Sequence, residues 1–295
     1  MAVDVLDVEA STPGLRCCAF LRRSHASEDS RLAFFQSGTG VYTTADGDLD
    51  GLAKSAAQSG KMAVLSIDKP GIGSNAKGWA TLDREAFERH TLADLVACSR
   101  HAIDAAFDRP GIAKTATLVA HGHSEGAQVW ARVLAEAASR EEDAAWFGRV
   151  EASLLSGLPL EPVVTGAERQ LGVFLPFEVE AFHQAVLARD DDYLMLLGMP
   201  WRYLAHPTSH ESTAKVLERL AMARPGLRID LFHGESDRNA PFAPVRELVQ
   251  RNRRAKLERR PSLDLRLHGY PGAFHQLDER LDADIDALVA ALPPR

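Results

Sequence analysis

The chain has 295 residues, of which 45% are hydrophobic and 25% are charged. This size is sufficient for one sizeable hydrophobic core, or for one core with a small inserted unit, and the composition is not that of a disordered chain. The formal net charge of −7 at pH 7 argues against a nucleic-acid partner, because binding to phosphates usually requires a basic surface.

The three cysteines are Cys17, Cys18 and Cys98. Cys17 and Cys18 are neighbours on alternate sides of a predicted strand, so they are not expected to pair with each other. An odd and sparse cysteine count is typical of a reducing compartment. The N-terminal residues show no basic segment followed by an apolar one, and no stretch approaches about 18 apolar residues. These features predict a soluble cytoplasmic protein with no membrane association.

Short apolar runs separated by turn residues predict the elements of the first half of the chain. In chain order they are a hairpin from 3–8 and 15–21, a strand at 32–35, a short helix at 52–59, a strand at 62–67, a helix at 92–107 capped by Thr91, a strand at 115–120, a helix at 128–138 and a strand at 150–155.

The same alternation resumes near the C-terminus, with a strand at 229–232, a helix at 244–253, a strand at 263–267 and a helix at 282–292. Continuously apolar strands that alternate with helices predict an α/β protein with a mostly parallel central sheet and helices on both faces. The opening hairpin is expected to add antiparallel strands at one edge of this sheet.

The stretch 158–213 interrupts the alternation and is rich in aromatic and aliphatic residues. We expect it to be a helical lid inserted between the sixth and seventh strands. Residues 1–157 and 214–295 then form one α/β core domain. An enlarged helical layer on one face of the sheet is the alternative interpretation.

The strongest chemical signal is the segment Gly122-His123-Ser124-Glu125-Gly126. It follows a predicted strand and precedes a predicted helix, which is the context of a sharp turn that exposes a nucleophilic serine above the sheet. The helix N-terminus beside Ser124 favours negative charge that develops in a reaction. A glycine-rich strand-to-helix turn without chemistry is the alternative.

A serine hydroxyl needs a general base, and the base needs an acid that orients it. His275 lies in the loop after the last predicted strand and is the preferred base, with His268, nearer the strand end, as the alternative. Asp237 lies in a loop directly after another strand and is the preferred acid. Glu235 is its alternative, and an ordinary surface turn is the interpretation without chemistry.

The chain resembles the α/β-hydrolase superfamily, of the serine esterase and acyl-hydrolase type, over nearly its whole length outside the proposed lid. The resemblance rests on the motif around Ser124, on the turns that carry Asp237 and His275, and on the loop 68–74. The order serine, aspartate, histidine is also the order of this fold. The segment 122–126, together with 200–203 ahead of the strand before Asp237, resembles a bacterial esterase and acyl-hydrolase subgroup, from which the chain departs at Ala127, where a further glycine is usual.

The resemblance also implies an oxyanion hole. One donor is expected to be the backbone N–H of Glu125, directly after the nucleophile. The second is expected from the loop after the third strand, where we assign the backbone N–H of Thr39, with Gly38 as the alternative.

Three further patterns carry less weight. Residues 71–76 match a dinucleotide-binding pattern formally, but no clean helix follows them. His206 and His210 have the spacing of metal ligands, but Pro207 between them disfavours a regular helix. The basic run 246–260 is either a solvated helix face or a docking site for an acidic acyl-carrier partner. No metal and no organic cofactor are predicted.

The sequence therefore predicts a serine hydrolase that cleaves a carboxylic ester of an apolar small molecule through an acyl-enzyme on Ser124. A thioester is the second choice of substrate and an amide the third. An acyltransferase or cyclase that uses the same residues, and a ligand-binding protein without catalysis, are the alternatives. The predicted substrate-contacting residues are Gly38, His123, Phe174, Phe177, Trp201 and Tyr203.

Overall fold

The computed structural model describes residues 2–23, 29–36, 38–39, 43–44, 62–74, 80–174, 179–196, 198–277 and 279–292. Its main feature is an eight-stranded sheet, and a separate pair of short strands lies outside it. The ten strands are β1 (Ala2–Glu9), β2 (Arg16–Arg23), β3 (Asp29–Gln36), β4 (Met62–Ile67), β5 (Ile72–Ser74), β6 (Ala80–Leu82), β7 (Ile112–His123), β8 (Val150–Ser156), β9 (Arg228–Gly234) and β10 (Asp264–Tyr270).

The strands of the main sheet follow the order β1-β2-β4-β3-β7-β8-β9-β10. β1 pairs with β2 and β2 pairs with β4 in antiparallel fashion, whereas the other neighbours run parallel. The predicted hairpin at one edge and the predicted parallel sheet are therefore confirmed. Because the parallel strands all run in one direction, the loops that follow them meet at one edge of the sheet.

Helices pack on the sheet, and further helices form the region between β8 and β9. The helices within the described residues are α1 (Arg84–Arg89), α2 (Leu92–Phe107), α3 (Glu125–Ala137), α4 (Ala144–Phe147), α5 (Val163–Phe174), α6 (Val179–Ala188), α7 (Asp191–Leu196), α8 (Trp201–Ala205), α9 (Pro207–His210), α10 (Thr213–Ala223), α11 (Phe242–Leu257) and α12 (Glu279–Ala290).

Two apolar clusters explain why helices are needed on both faces of the sheet. The larger cluster contains side chains of α2 and α3 and includes the fully buried Trp130, and the smaller one contains Ile285 of α12. α2 begins where the sequence predicts it, because Thr91 and Asp94 form a reciprocal capping box at its N-terminus. Strands buried on both faces have to be apolar throughout, which is why β4 is buried along its whole length.

The stretch between β8 and β9 is helical, as expected, and contains α5 to α10. α10 packs against α3, and α8 contacts α1 and α6. Leu194, Tyr203 and Leu204 of this stretch belong to the larger apolar cluster. The function of the stretch as a lid stays a prediction.

Most predicted elements differ from the structure only at their ends. The helix predicted from 128 begins at Glu125, and the strand predicted from 115 begins at Ile112. The helix predicted at 52–59 lies outside the described residues. Among the helices that the structure describes, none has both the length and the apolar character needed to cross a membrane.

The cysteines differ from the expectation. A disulfide joins Cys17 of β2 to Cys98 of α2, and Cys18 is a free, partly buried thiol. The expectation that Cys17 and Cys18 do not pair with each other is confirmed. The cysteine count therefore no longer supports a reducing compartment. The fold brings together Cys17 and Cys98, which are 81 residues apart in the sequence and gave no sign of pairing there.

The disulfide makes thiol counting informative. Protein purified without reductant and unfolded in denaturant should expose one reactive thiol, and three after reduction. Reduction should also lower the free energy of unfolding by about 2–4 kcal/mol, because it releases a long loop in the unfolded chain. Three reactive thiols before reduction would contradict the pairing.

Candidate active site

Ser124 stands alone between β7, which ends at His123, and α3, which begins at Glu125. Its backbone has φ 56° and ψ −117°, a conformation that non-glycine residues rarely adopt. Such strain persists only where the surrounding structure enforces it, and it is often found at functional sites. The turn is therefore the sharp strand-to-helix junction that the sequence predicts.

Close packing enforces this conformation. A Cβ atom on Gly122 would lie 2.4 Å from the carbonyl oxygen of Gly126, so no side chain fits at this position. The backbone N–H of Ser124 donates to the carbonyl oxygen of Ser156, at the end of the neighbouring β8, with a distance of 2.8 Å. The turn is thus fixed from both sides, and Ser124 keeps a defined direction.

The structure brings together the three residues that the sequence assigns to catalysis. Ser124 Oγ lies 2.8 Å from His275 Nε2, and His275 Nδ1 lies 2.8 Å from Asp237 Oδ2. All three residues are buried. One nitrogen of the imidazole thus faces a hydroxyl and the other faces a carboxylate, which is the arrangement in which a histidine can take a proton from a serine.

The second oxygen of Asp237 is occupied by the backbone. Oδ1 accepts hydrogen bonds from the N–H groups of Asn239 and Ala240, at 2.8 and 2.9 Å. Burial favours the protonated form of Asp237, but the hydrogen bond and charge of His275, together with the Ala240 N–H, outweigh it and lower the pKa of Asp237. The carboxylate is therefore charged and fixed in direction where it faces His275.

A second histidine lies beside the same carboxylate. His233 Nε2 is 3.6 Å from Asp237 Oδ2 and 2.5 Å from the carbonyl oxygen of Ala240. Burial is the main cause that lowers the pKa of His233, so it stays neutral at pH 7 and can donate Nε2–H to Ala240. His233 is absent from the sequence-based assignment, although its position four residues before Asp237 is a usable signal.

The alternative candidates lie elsewhere. His268 lies within β10, stacks on Phe232 and contacts Asp230 through Nε2 at 3.0 Å. Glu235 is exposed, and its backbone N–H donates to the carbonyl oxygen of Tyr270 at 3.1 Å. Neither side chain has a contact with Ser124 in the described structure, so the geometry favours His275 and Asp237.

Gly157, which follows β8, allows two imidazoles to approach each other. A Cβ atom on it would lie 3.1 Å from Cε1 of His275 and 3.3 Å from Cε1 of His123. The two rings are 5.1 Å apart, and His123 Nδ1 is 3.0 Å from the hydroxyl of Ser156. His123 therefore packs beside the proposed base, and Gly157 and Ser156 are further parts of the site that the sequence analysis did not select.

The loop after β3 also reaches the nucleophile. A Cβ atom on Gly38 would lie 3.2 Å from the Cβ of Ser124, and the following residue, Thr39, is exposed. On the other side, Glu125 is the first residue of α3, where the N–H groups have no partner within the helix. Both predicted oxyanion donors thus lie on segments that adjoin Ser124.

A buried ion pair lies directly behind the nucleophile. Lys69 Nζ contacts Glu125 Oε2 at 2.6 Å, and both side chains are 4% exposed. His90 and Tyr203 lie in the same buried region, with their rings 5.3 Å apart. Burial, followed by the nearby Lys69 charge, lowers the pKa of His90 to about 4.

The predicted substrate contacts have mixed outcomes. Tyr203 is fully buried in the core, where burial and the neighbouring Glu125 carboxylate raise its pKa, so the structure does not bring it to an open site. Trp201 is partly exposed and lies under the guanidinium groups of Arg189 and Arg202. Phe177 and the side chain of Phe174 lie outside the described residues.

No metal centre is found in the part of the chain that the structure describes. It contains no group of three or more His, Cys, Asp or Glu side chains suited to hold an ion there. His206 instead caps the short helix α9, where its Nδ1 accepts a hydrogen bond from the N–H of Thr208 at 3.3 Å. His206 therefore has a local capping role in the described structure.

Comparisons with known proteins define the fold. No protein-family model matches the chain, and no match was found among curated proteins. Solved structures match over nearly the full length. Est1E from Butyrivibrio proteoclasticus has a TM-score of 0.58 at 12% identity, with 96% of this chain and 97% of that chain covered.

Two other esterases are similar in the same way. The Pyrococcus furiosus esterase Pf2001 has a TM-score of 0.55 at 15% identity and covers 98% of this chain and 93% of its own. Thermogutta terrifontis esterase 2, solved in a form phosphoramylated by tabun, has a TM-score of 0.58 at 14% identity, with 99% and 97% covered. The protein has the α/β-hydrolase fold, as the resemblance in the sequence implies.

The close packing at Gly122 predicts a large effect of one methyl group. Gly122→Ala should lower the free energy of unfolding by about 3 kcal/mol or more, because its Cβ would overlap the Gly126 backbone. Gly226→Ala is the control: its Cβ meets no atom within 4 Å, and only its positive φ should cost about 1 kcal/mol. Urea denaturation of both variants measures the difference, and equal losses would contradict the close approach.

The low pKa of His90 predicts a pH dependence of stability. Below about pH 6.5 the unfolded chain binds a proton at this histidine, whereas the folded protein does so only near pH 4. The contribution of His90 to the free energy of unfolding should therefore fall between these pH values as the pH is lowered, with a slope that approaches about 1.4 kcal/mol per pH unit. Burial raises the pKa of Asp104 to about 6, and this group contributes in the opposite direction, so the slope is read from the difference between wild type and a His90 variant.

His90→Asn keeps a donor for the carbonyl oxygen of Phe87 but cannot be protonated. The variant should be less stable than wild type at pH 7.5, with a shallower decline toward acid pH. Urea titrations at several pH values measure both slopes. An unchanged slope in the variant would show that His90 does not cause the decline.

Proposed function

We propose that this protein is a serine hydrolase that cleaves a carboxylic ester of a small molecule with an apolar part. The observation that carries the proposal is the continuous chain of contacts from Ser124 Oγ through the His275 imidazole to Asp237, with 2.8 Å at each step. The first member, Ser124, has a strained backbone, and Gly122 beside it packs against the Gly126 backbone too closely for a side chain.

In the acylation step, Ser124 Oγ attacks the ester carbonyl carbon while His275 Nε2 takes the hydroxyl proton. Asp237 stays charged, holds the imidazole through Nδ1 and stabilises the imidazolium ion. The C–O bond to the alcohol then breaks, and His275 returns the proton to the leaving oxygen. An acyl-enzyme on Ser124 is left.

In the deacylation step, His275 removes a proton from water, which attacks the acyl carbonyl carbon. The bond to Ser124 Oγ breaks, the proton returns to the serine, and the carboxylic acid leaves. Neutral His233 supports both steps, because a second cation beside Asp237 would compete with the charge that forms on His275.

The negative charge that develops on the carbonyl oxygen needs donors. We assign them to the backbone N–H groups of Glu125 and Thr39, on the two segments that adjoin Ser124. Loss of one such donor typically lowers kcat by about 10²–10³-fold. This side of the site lies at the N-terminus of α3, where the helix dipole also favours an anion.

An ester is favoured over a thioester or an amide because the full-length structural neighbours are esterases. One neighbour was solved as an organophosphorus adduct, which makes a phosphonate probe a suitable reagent for this chain. The exposed Phe274, directly before His275, provides apolar surface beside the proposed base and supports an apolar substrate portion.

The test combines a fluorophosphonate probe with a panel of p-nitrophenyl esters of increasing acyl length. Wild type should be labelled and should hydrolyse at least one ester. Ser124→Ala and His275→Ala should lose labelling and about 10⁴-fold or more in kcat, and Asp237→Asn about 10⁴-fold, because its amide cannot hold the same imidazole tautomer.

The rejected candidates provide matched controls. His268→Ala changes a second histidine, and Glu235→Gln changes a second acidic residue, on segments near the site but without contact to Ser124. Both variants should keep kcat within about threefold of wild type. Folded wild type that is neither labelled nor active on any ester would refute the hydrolase proposal. Loss of activity in the controls equal to that in His275→Ala would refute the residue assignment.

A further inference from the structure

Two consecutive residues of the loop after β4, Asp68 and Lys69, contact the chain that follows the Thr39 segment and the first residue of α3, respectively. Both are buried, with 2% and 3% of their surfaces exposed. Neither contacts Ser124 or His275 in the described structure, so the proposed mechanism does not use them. Two adjacent buried residues of opposite charge, each bound to a different segment, need an explanation, because burial of a charged group is costly.

Asp68 binds the loop that follows β3. Its Oδ1 accepts hydrogen bonds from the N–H and the hydroxyl of Thr44, at 2.6 and 2.7 Å, and its Oδ2 accepts one from the hydroxyl of Thr43, at 2.5 Å. Arg22 adds a hydrogen bond to the carbonyl oxygen of Thr44. Thr43 and Thr44, which lie four and five positions after Thr39 in the sequence, are therefore held by Asp68 and Arg22.

Lys69 binds the other side. Its ammonium group lies 2.6 Å from the Glu125 carboxylate and is as buried as its partner. Glu125 is the first residue of α3 and supplies the other proposed donor through its own N–H. The side chain of Glu125 points to Lys69, so the ion pair fixes the first residue of the helix where the donor must be directed.

The backbone between the two contacts is rigid. The N–H of Asp68 donates to the carbonyl oxygen of Cys18 at 2.9 Å, and the N–H of Ile72 donates to that of Lys69 at 3.0 Å. This turn has Pro70 and Gly71 at its central positions, with Gly71 at φ 79°, which is the pattern of a type II turn. Movement of one side of the site would therefore move this turn or break a buried contact.

We propose that Asp68 and Lys69 are positioning residues that hold the two oxyanion-donating segments, around Thr39 and Glu125, at a fixed distance from each other. The inference rests on the proposed function for its catalytic consequence, although the contacts exist without it. The ion pair acts through geometry, because Lys69 contacts the side chain of Glu125 and leaves the backbone N–H to the substrate.

The experiment compares kcat and KM of four variants with those of wild type, together with their melting temperatures. Lys69→Met should lower kcat about 10- to 100-fold with little change in KM, because a misplaced donor weakens the transition state more than the bound substrate. Asp68→Asn should act in the same direction. The double variant Lys69→Met/Glu125→Gln should recover at least about fivefold of kcat, because it leaves no unpaired buried charge.

Arg100→Met is the matched control. Arg100 and Asp143 form another buried ion pair, 2.7 Å apart with side chains 5% and 0% exposed, away from the proposed site. This variant should lose melting temperature but keep the kcat of the folded protein. If Lys69→Met also lost only stability, with kcat as in Arg100→Met, the positioning role would be overturned while the proposed function stood.

Hydrogen exchange separates this inference from the proposed function. If folded wild type neither hydrolyses esters nor reacts with the phosphonate, the proposed function fails and exchange rates decide the positioning role. Faster exchange of amides in 122–127 for Lys69→Met and in 36–44 for Asp68→Asn, beyond that in Arg100→Met, would support it. Exchange equal to that in the control would overturn it.

Discussion

The strained backbone of Ser124 is the constraint on which the rest of the site depends. Ser124 has φ 56° between a strand and a helix, and this sharp turn brings Gly122 so close to the Gly126 backbone that position 122 has no room for a side chain. The hydrogen bond from its N–H to Ser156 ties the turn to the neighbouring strand. Close packing in the centre of the sheet, where β7 has parallel partners on both sides, therefore keeps Ser124 in its strained conformation.

Parallel strands explain how distant residues meet. Asp237 follows β9, His275 follows β10 and Gly38 follows β3, and each loop opens at the same edge of the sheet as Ser124. The loop after β9 is short, and its own N–H groups at Asn239 and Ala240 hold the Asp237 carboxylate. This geometry separates two requirements: the apolar strands stabilise the domain, and the loops at one edge carry the polar groups.

Much of this arrangement could be predicted from the order of strands and loops along the sequence. Buried apolar runs located the strands, and the motif around Ser124 with the loops after two later strands located the three central polar residues. The pairing of Lys69 with Glu125 was not predictable, since the two residues are 56 positions apart and their contact leaves no periodic signal. Tyr203 was assigned to a substrate surface because aromatic residues serve both in pockets and in cores, and its sequence neighbours do not distinguish the two.

The disulfide between Cys17 and Cys98 closes a covalent ring of the chain that contains β3, β4, Gly38 and the Asp68–Lys69 turn. A single peptide-bond cut anywhere inside this ring leaves one covalent molecule, whose two ends remain at high effective concentration. A cut between Ser124 and Asp237 has no such protection, because it falls outside the ring. The segment with Gly38, Thr39 and the Asp68–Lys69 turn is therefore covalently retained after a cut within the ring. After a cut between Ser124 and Asp237, the part of the chain that carries Asp237 and His275 depends on non-covalent packing alone.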